Sequence, residues 1–205
     1  MPTSLHPIFD ARLGEAEIAV FDLETTGLNS SKNRVIQVAI VQVANGRIID
    51  GGWNQFVHPG EDHLPLTETV KRITKIDEKD LKGQPSMAEV VVEFDKRVGE
   101  KFVAGHNIAS FDLRFMRKAE DRHRVELQTD YYIDTIKLMR KLHPDIDSHN
   151  LATSAKHYGL DVDEEKLHNA LVDTKLTAEL MLKQIEELAA KNVRTFGQML
   201  TFLQS

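Results

Sequence analysis

The run Val35-Ile-Gln-Val-Ala-Ile-Val-Gln-Val43 has fewer structural options than any other part of this chain. β-Branched residues dominate it, and Ala44-Asn45-Gly46-Arg47 follows as a hairpin signal, because Asn-Gly takes the positive φ angles of a tight turn at little cost. Before it, Ile18 to Glu24 is a short apolar run that stops at Thr25-Thr26-Gly27. After it, Ile48 to Val57 returns as a third strand, with Gly51-Gly52 expected to form a bulge. Three consecutive strands with short connections make an antiparallel meander.

The period then changes. Helical spacing runs over Leu66 to Ile73 and Met87 to Val98, and again near Asp112 to His123, Thr135 to Leu142, Leu151 to Tyr158 and Asn169 to Lys191. Short strands at Phe102 to Gly105 and Tyr131 to Ile133 alternate with these helices, and Val193, Phe196, Leu200 and Leu203 mark the face of a last one. A meander followed by β-α-β-α units implies an α/β fold, one mixed sheet flanked by helices. At 205 residues the expectation is a single domain over 1–205, with 193–205 as a C-terminal helical extension.

Several classes of function drop out. The absence of cysteine excludes disulfides, thiolate metal sites and cysteine nucleophiles. No apolar run approaches the roughly 20 residues a bilayer needs, and Met1 to Ala16 does not have the pattern of a secretory signal, so the cytoplasm is expected and a membrane is not. The formal net charge of −6 argues against a broad positive field for nucleic acid. Two bound divalent ions would offset four of those charges where a phosphate would sit, so the balance alone does not settle the partner.

The acids carry the chemistry. Asp22 and Glu24 are two apart on an expected strand and leave the same face, where they repel each other unless a cation lies between them. Magnesium or manganese fits, since both favour carboxylate oxygen. A second cluster, Ala104-Gly-His-Asn-Ile-Ala-Ser-Phe-Asp-Leu113, ends a strand and opens a helix with Asp112. The third is His168-Asn-Ala-Leu-Val-Asp173. Five helical residues turn by about 140°, so His168 and Asp173 share a face only if His168 lies in the loop before the helix. Each acid taken singly reads as surface charge, a helix-dipole partner or a cap. Their joint occurrence in this order does not.

With these three motifs the sequence resembles the DEDDh exonucleases of the DnaQ-like superfamily, which includes the proofreading subunit or domain of bacterial DNA polymerase III. Asp22-Leu-Glu-Thr-Thr-Gly27 matches the first motif, His106-Asn107 through Phe111-Asp112 the second and His168 through Asp173 the third. The likeness covers about Glu17 to Lys183. In the sister DEDDy group a tyrosine stands four residues before the last aspartate, where this chain has Asn169. There are two departures. Six residues, not five, run from Asn107 to Asp112, and the frequent Ile-Thr-Gly-Ile segment appears as Ile73-Thr-Lys-Ile76.

The resemblance implies an RNase H-like sheet and metal-dependent 3′→5′ hydrolysis of DNA that releases nucleoside 5′-monophosphates. Two Mg²⁺ or Mn²⁺ ions would be held by Asp22, Glu24, Asp112 and Asp173, with His168 as general base. Thr25, Thr26, Leu28, Asn107 and Phe111 would hold the terminal nucleotide, with Phe111 equally open to a core role. Lys71, Arg72, Lys75, Arg114, Arg117 and Lys118 are candidates for backbone contacts. Single-stranded DNA or a frayed 3′ end is the implied substrate, with a polymerase or repair protein as a partner. RNA is the alternative substrate, since nothing in the motifs reports a 2′-hydroxyl. A non-catalytic nucleic-acid-binding or polymerase-tethering module is the alternative of another class, which the complete acid set argues against.

Overall fold

The structure, a computed structural model, describes residues 7–205. Its centre is β1 (Ile18–Thr25), paired antiparallel with β2 (Val35–Ala44) and parallel with β5 (Phe102–Gly105). β6 (Tyr132–Asp134) extends the sheet in parallel beyond β5. On the other side, β3 (Arg47–Ile48) and β4 (Trp53–Phe56) both pair with β2. The expected mixed sheet is present, with antiparallel pairing on one side of β1 and parallel pairing on the other.

The third strand of the meander is in two pieces rather than one bulged strand. At the break the carboxylate of Asp50 accepts the backbone N–H groups of Gln42 and Gly52, which replaces a ladder hydrogen bond with a side chain. Gly52 is left at φ +87°, and a Cβ there would lie 2.5 Å from the Leu171 side chain. The break therefore admits the start of the helix that crosses it.

Eight α-helices flank the sheet among the described residues: α1 (Glu68–Thr74), α2 (Glu78–Leu81), α3 (Met87–Val98), α4 (Asp112–His123), α5 (Thr135–Leu142), α6 (Leu151–His157), α7 (Ala170–Ala190) and α8 (Phe196–Gln204). α2 is too short to have a periodic pattern and was not expected. It forms because Asp77 and Asp80 close a capping box on it and Leu81 anchors it in the core.

Alternation along β1 divides the core. Ala19, Phe21 and Leu23 face α3 and α4, with the Phe21 and Phe94 rings edge to face at 5.1 Å. Ile18 and Val20 face the other way, onto α5, α7 and α8. A third cluster around Ile36, Val70 and Leu81 seats α1 and α2. Trp53 packs against the first cluster, with the Arg97 guanidinium 4.9 Å above its ring. α8 lies on its own domain, burying Phe196 and Met199. No helix of the described residues is long and apolar enough to cross a membrane.

Candidate active site

The face of β1 that carries Ile18 and Val20 turns acidic at its C-terminal end, where Asp22 and Glu24 continue the same side. β5 pairs with β1 only as far as Val20, so the last residues of β1 extend past its parallel neighbour. α7 crosses this face and brings Asp173 down from its first turn. Ligand oxygens of Asp22, Glu24 and Asp173 lie within 4.8 Å of one another.

The N-terminus of α7 is fixed to the sheet by Gln37. This residue is fully buried and is the ladder partner of Glu24 on β2. Its amide oxygen accepts the Ala170 N–H at 3.3 Å, while its amide nitrogen donates to Asn54 Oδ1 at 2.9 Å. Asn169 caps the helix by accepting the N–H groups of Leu171 and Val172.

Asp112 arrives from the opposite face. After β5 the chain turns at Gly105, where a Cβ would meet Ile108 Cβ at 2.9 Å and Phe21 O at 3.0 Å. Only glycine allows this approach to β1. Asn107 follows at φ +66°. The loop is then held by Asp134, whose carboxylate accepts the N–H groups of Asn107, Ala109 and Ile136. The sequence marks Asp134 as the cap of α5, and it is that. It also fixes the loop that delivers Asp112.

The electrostatics follow from burial. Desolvation, then repulsion from Asp112, Glu24 and Asp173, pushes the Asp22 carboxyl well above its ordinary range. Glu24 is raised to about 8 by burial, then by Asp173 and Asp112. Burial raises Asp112 to about 8 against the hydrogen bonds that favour its charged form, and Asp173 to about 6. The Asp173 Oδ2 accepts the His168 N–H at 3.1 Å, but its Oδ1 is buried with no hydrogen-bond partner. Four converging acids, one with an orphaned oxygen, suit an oxygen-seeking divalent cation.

The other expected site residues are distributed around this centre. His168 lies in the loop before α7 at φ +63°, exposed, and lines with Asp173 a cleft of about 460 Å³. The hydroxyl of Thr25 donates to Gly27 O at 2.8 Å and so shapes the turn. The Thr26 hydroxyl accepts the Arg34 N–H at 3.0 Å. Leu28 projects outward with 87% of its surface exposed, whereas Phe111 is half-buried with its ring centroid 5.1 Å from that of Phe115.

Three structural roles are not legible along the sequence. Gln37 looks like an interruption in a strand. Lys75 adopts φ +60° at the C-cap of α1 and reaches the Glu165 carbonyl in the loop before His168. His106, His143 and His149 form a relay: one ring nitrogen of His106 meets His149 O at 3.0 Å, and His149 Nε2 meets His143 O at 3.0 Å. The His143 ring ends the relay on Tyr158 and Glu187. Burial holds His106 neutral, down to about 4, so it supports the strand end as an uncharged residue.

A mixed sheet of this topology with an acidic cluster at the end of its central strand defines a class of nucleic-acid hydrolases. The chain belongs to the exonuclease family, whose profile matches residues 19–181. It is 34% identical over 196 residues to a PolC-type DNA polymerase III of Staphylococcus saprophyticus, and 34% over 185 residues to that of Halalkalibacterium halodurans. Those alignments cover 96% and 90% of this chain but only 13% and 12% of the relatives. Among solved structures it resembles exonuclease X in complex with 5′ overhanging duplex DNA, at TM-score 0.71 and 25% identity over 91% of this chain and 99% of that one. It shares the RNase H-like fold of E. coli exonuclease I, at TM-score 0.74 and 20% identity over 91% of this chain and 43% of that one.

Proposed function

We propose that this protein is a DEDDh-type 3′→5′ exonuclease that shortens DNA from its 3′ end and releases nucleoside 5′-monophosphates. The observation that carries this reading is the convergence of Asp22, Glu24 and Asp173 within 4.8 Å, with Asp112 hydrogen-bonded to the strand between the first two. Asp22, Glu24 and Asp173 would hold one cation, and Asp22 and Asp112 a second. Two magnesium or manganese ions, when bound, supply charge neutralisation and Lewis acidity at the scissile phosphodiester.

His168 is the general base in this reading. A ring nitrogen takes the proton of the attacking water, and the exposed loop lets the imidazole approach while its backbone N–H stays on Asp173. Thr26 holds the 3′ hydroxyl: its oxygen already accepts the Arg34 N–H, which leaves its own proton to donate. Leu28 offers apolar contact to the last base, and Asn107 and Phe111 border the same nucleotide, a mode indifferent to base identity. Thr25 acts through the turn it shapes. The DNA substrate and a polymerase as partner are inferred from the names of the relatives, PolC-type polymerases and DNA-bound exonucleases. Because this chain spans so little of the polymerases, their synthetic activity is no part of the reading.

The test is incubation of 5′-labelled single-stranded DNA, duplex DNA and RNA with Mg²⁺ or Mn²⁺, beside His168→Ala and Asp22→Ala proteins. A ladder shortening from the 3′ end, lost with chelator and in both variants, is expected. Equal activity in wild type and variants sinks the assignment, internal cuts contradict the end-directed mode, and degradation of RNA alone moves the substrate to the alternative.

A further inference from the structure

Three of the six cations that the sequence offers for backbone contact are engaged. Lys71 pairs with Glu78 at 2.8 Å, Lys118 pairs with Asp121 at 3.0 Å, and Lys75 is held by the Glu165 carbonyl. A different set is not. Arg34, immediately before β2, and Arg122, in the last turn of α4, form no ion pair among the described residues. They line a cleft of about 230 Å³ together with His58, Ser86 and His123. His58 is occupied by Glu61 at 3.5 Å, and Ser86 by Glu89 at 2.8 Å, so the free cationic groups at this cleft are the two arginines.

The arginines are fixed in place without being neutralised. One Arg122 Nη donates to the carbonyls of Ser30 and Ser31 at 2.9 and 3.2 Å, and one Arg34 Nη donates to Asn33 O at 3.0 Å. A guanidinium has five N–H donors, so each keeps some to offer outward. The two guanidinium groups also act on one another and on the imidazoles nearby. Burial and then Arg34 weaken proton binding by Arg122, burial and then Arg122 weaken it at His123, and burial, Arg34 and Arg122 weaken it at His63. The opposing acids, Asp121 for Arg122 and Asp62 for His63, only partly offset this. Like charges are crowded here in a chain whose formal net charge is −6.

The cleft is also linked to the acidic site through β1 and α4. Thr26 donates its N–H to Arg34 O at 2.8 Å and accepts the Arg34 N–H at its hydroxyl, so Arg34 is one step from the end of β1. α4 begins at Asp112 and carries Arg122 ten positions later, about 15 Å along its axis. That is about four nucleotides of a B-form strand at roughly 3.4 Å each.

We propose that the Arg34–Arg122 cleft is a second, sequence-independent phosphate subsite, which takes nucleic-acid backbone a few nucleotides away from the 3′ end. The proposal rests on the exonuclease reading for its substrate, but its binding test is separate. Guanidinium pairs suit phosphate oxygens and carry no base information. The phosphates come either from the strand being shortened or from its complement.

The experiment measures binding by fluorescence anisotropy in Ca²⁺, using a thymidine trinucleotide, a single strand of about 15 nucleotides, and the same strand annealed to a longer complement. Wild type is compared with R34Q/R122Q and R34K/R122K proteins. The glutamine pair should weaken binding of the long single strand about tenfold or more while leaving the trinucleotide within about twofold. The lysine pair should recover most of the loss. The dependence of log affinity on log salt should become shallower by about 1.4, the value for two phosphates of a single strand. Loss confined to the annealed form assigns the complement as the source instead. Equal weakening of short and long strands, unchanged binding, or failure of lysine to rescue overturns the subsite. If Mg²⁺ supports no shortening by wild type, the exonuclease reading falls while the anisotropy result still decides the cleft.

Discussion

The Oδ1 atom of Asp112 accepts the backbone N–H of Leu23 at 3.1 Å, so a carboxylate from α4 is tied to β1 midway between Asp22 and Glu24. This hydrogen bond brings the fourth acid to the other three from the opposite face of the sheet. An Asp112→Asn protein keeps an oxygen for the Leu23 N–H but removes a buried charge. Its metal-free form should be more stable than wild type at pH 8, by about 1–3 kcal/mol in denaturant titration. Nuclease activity should fall by about a hundredfold or more. A variant less stable than wild type would show that the acid is structurally required in its charged form.

The raised acids make stability depend on pH in a definite direction. Glu24 and Asp112 bind protons up to about 8 in the folded chain, against ordinary values of 4.5 and 3.8. Between those limits the folded state holds more protons than the unfolded one, so stability falls as pH rises. His106 works the other way, since its folded value of about 4 lies below 6.5 and it costs stability only under acid. The clean window is therefore pH 6.5 to 8. Melting temperature without metal should drop across it by about 5 °C, and millimolar Mg²⁺ should remove the drop. A flat profile with no response to Mg²⁺ would contradict the cluster.

Gln37 supports Asp173 without touching a reacting group. Gln37→Leu deprives the buried Ala170 N–H of its acceptor and Asn54 of its donor. A cost of about 1–3 kcal/mol is expected in denaturant. The Mg²⁺ concentration for half-maximal activity should rise, because Asp173 rides on the helix end that Gln37 fixes. Loss of stability with no change in Mg²⁺ requirement would confine Gln37 to packing.

Lys75 stands where relatives of this sequence pattern often have glycine, and its φ of +60° explains why glycine suits the position. Lys75→Gly should leave the melting temperature level or slightly higher, since the backbone strain it relieves is about 1 kcal/mol. It also cuts the link from α1 to the Glu165 carbonyl. Hydrogen exchange over residues 163–168 should then accelerate. Unchanged exchange there would show that the lysine link does not hold the His168 loop.

Much of the fold was legible because its signals are local. The strand Phe102–Gly105 and the helices at Asp112–His123 and Thr135–Leu142 have the bounds that turn residues and periodicity indicate. β1 was legible for the same reason, as an apolar run ending in acids two apart. The break in the third strand is not legible, because whether Asp50 or a β-strand neighbour accepts the Gln42 N–H is not written in the spacing of Gly51 and Gly52.

By itself the sequence, through the motifs that carry its resemblance, singled out Asp22, Glu24, Asp112 and Asp173 as the expected cation ligands. Tertiary structure alone decided how they meet. Asp22, Glu24 and Asp173 share the α7 face, while Asp112 reaches them through the Leu23 N–H from the other side. It also decided how the cations are engaged, since Lys71 and Lys118 find acids nearby and Arg34 and Arg122 find carbonyls. Periodicity reports the face a residue occupies within its own element. The partner of a charge or of a buried N–H is set by contacts between elements distant in sequence, 133 residues apart for Gln37 and Ala170, where no local pattern reaches.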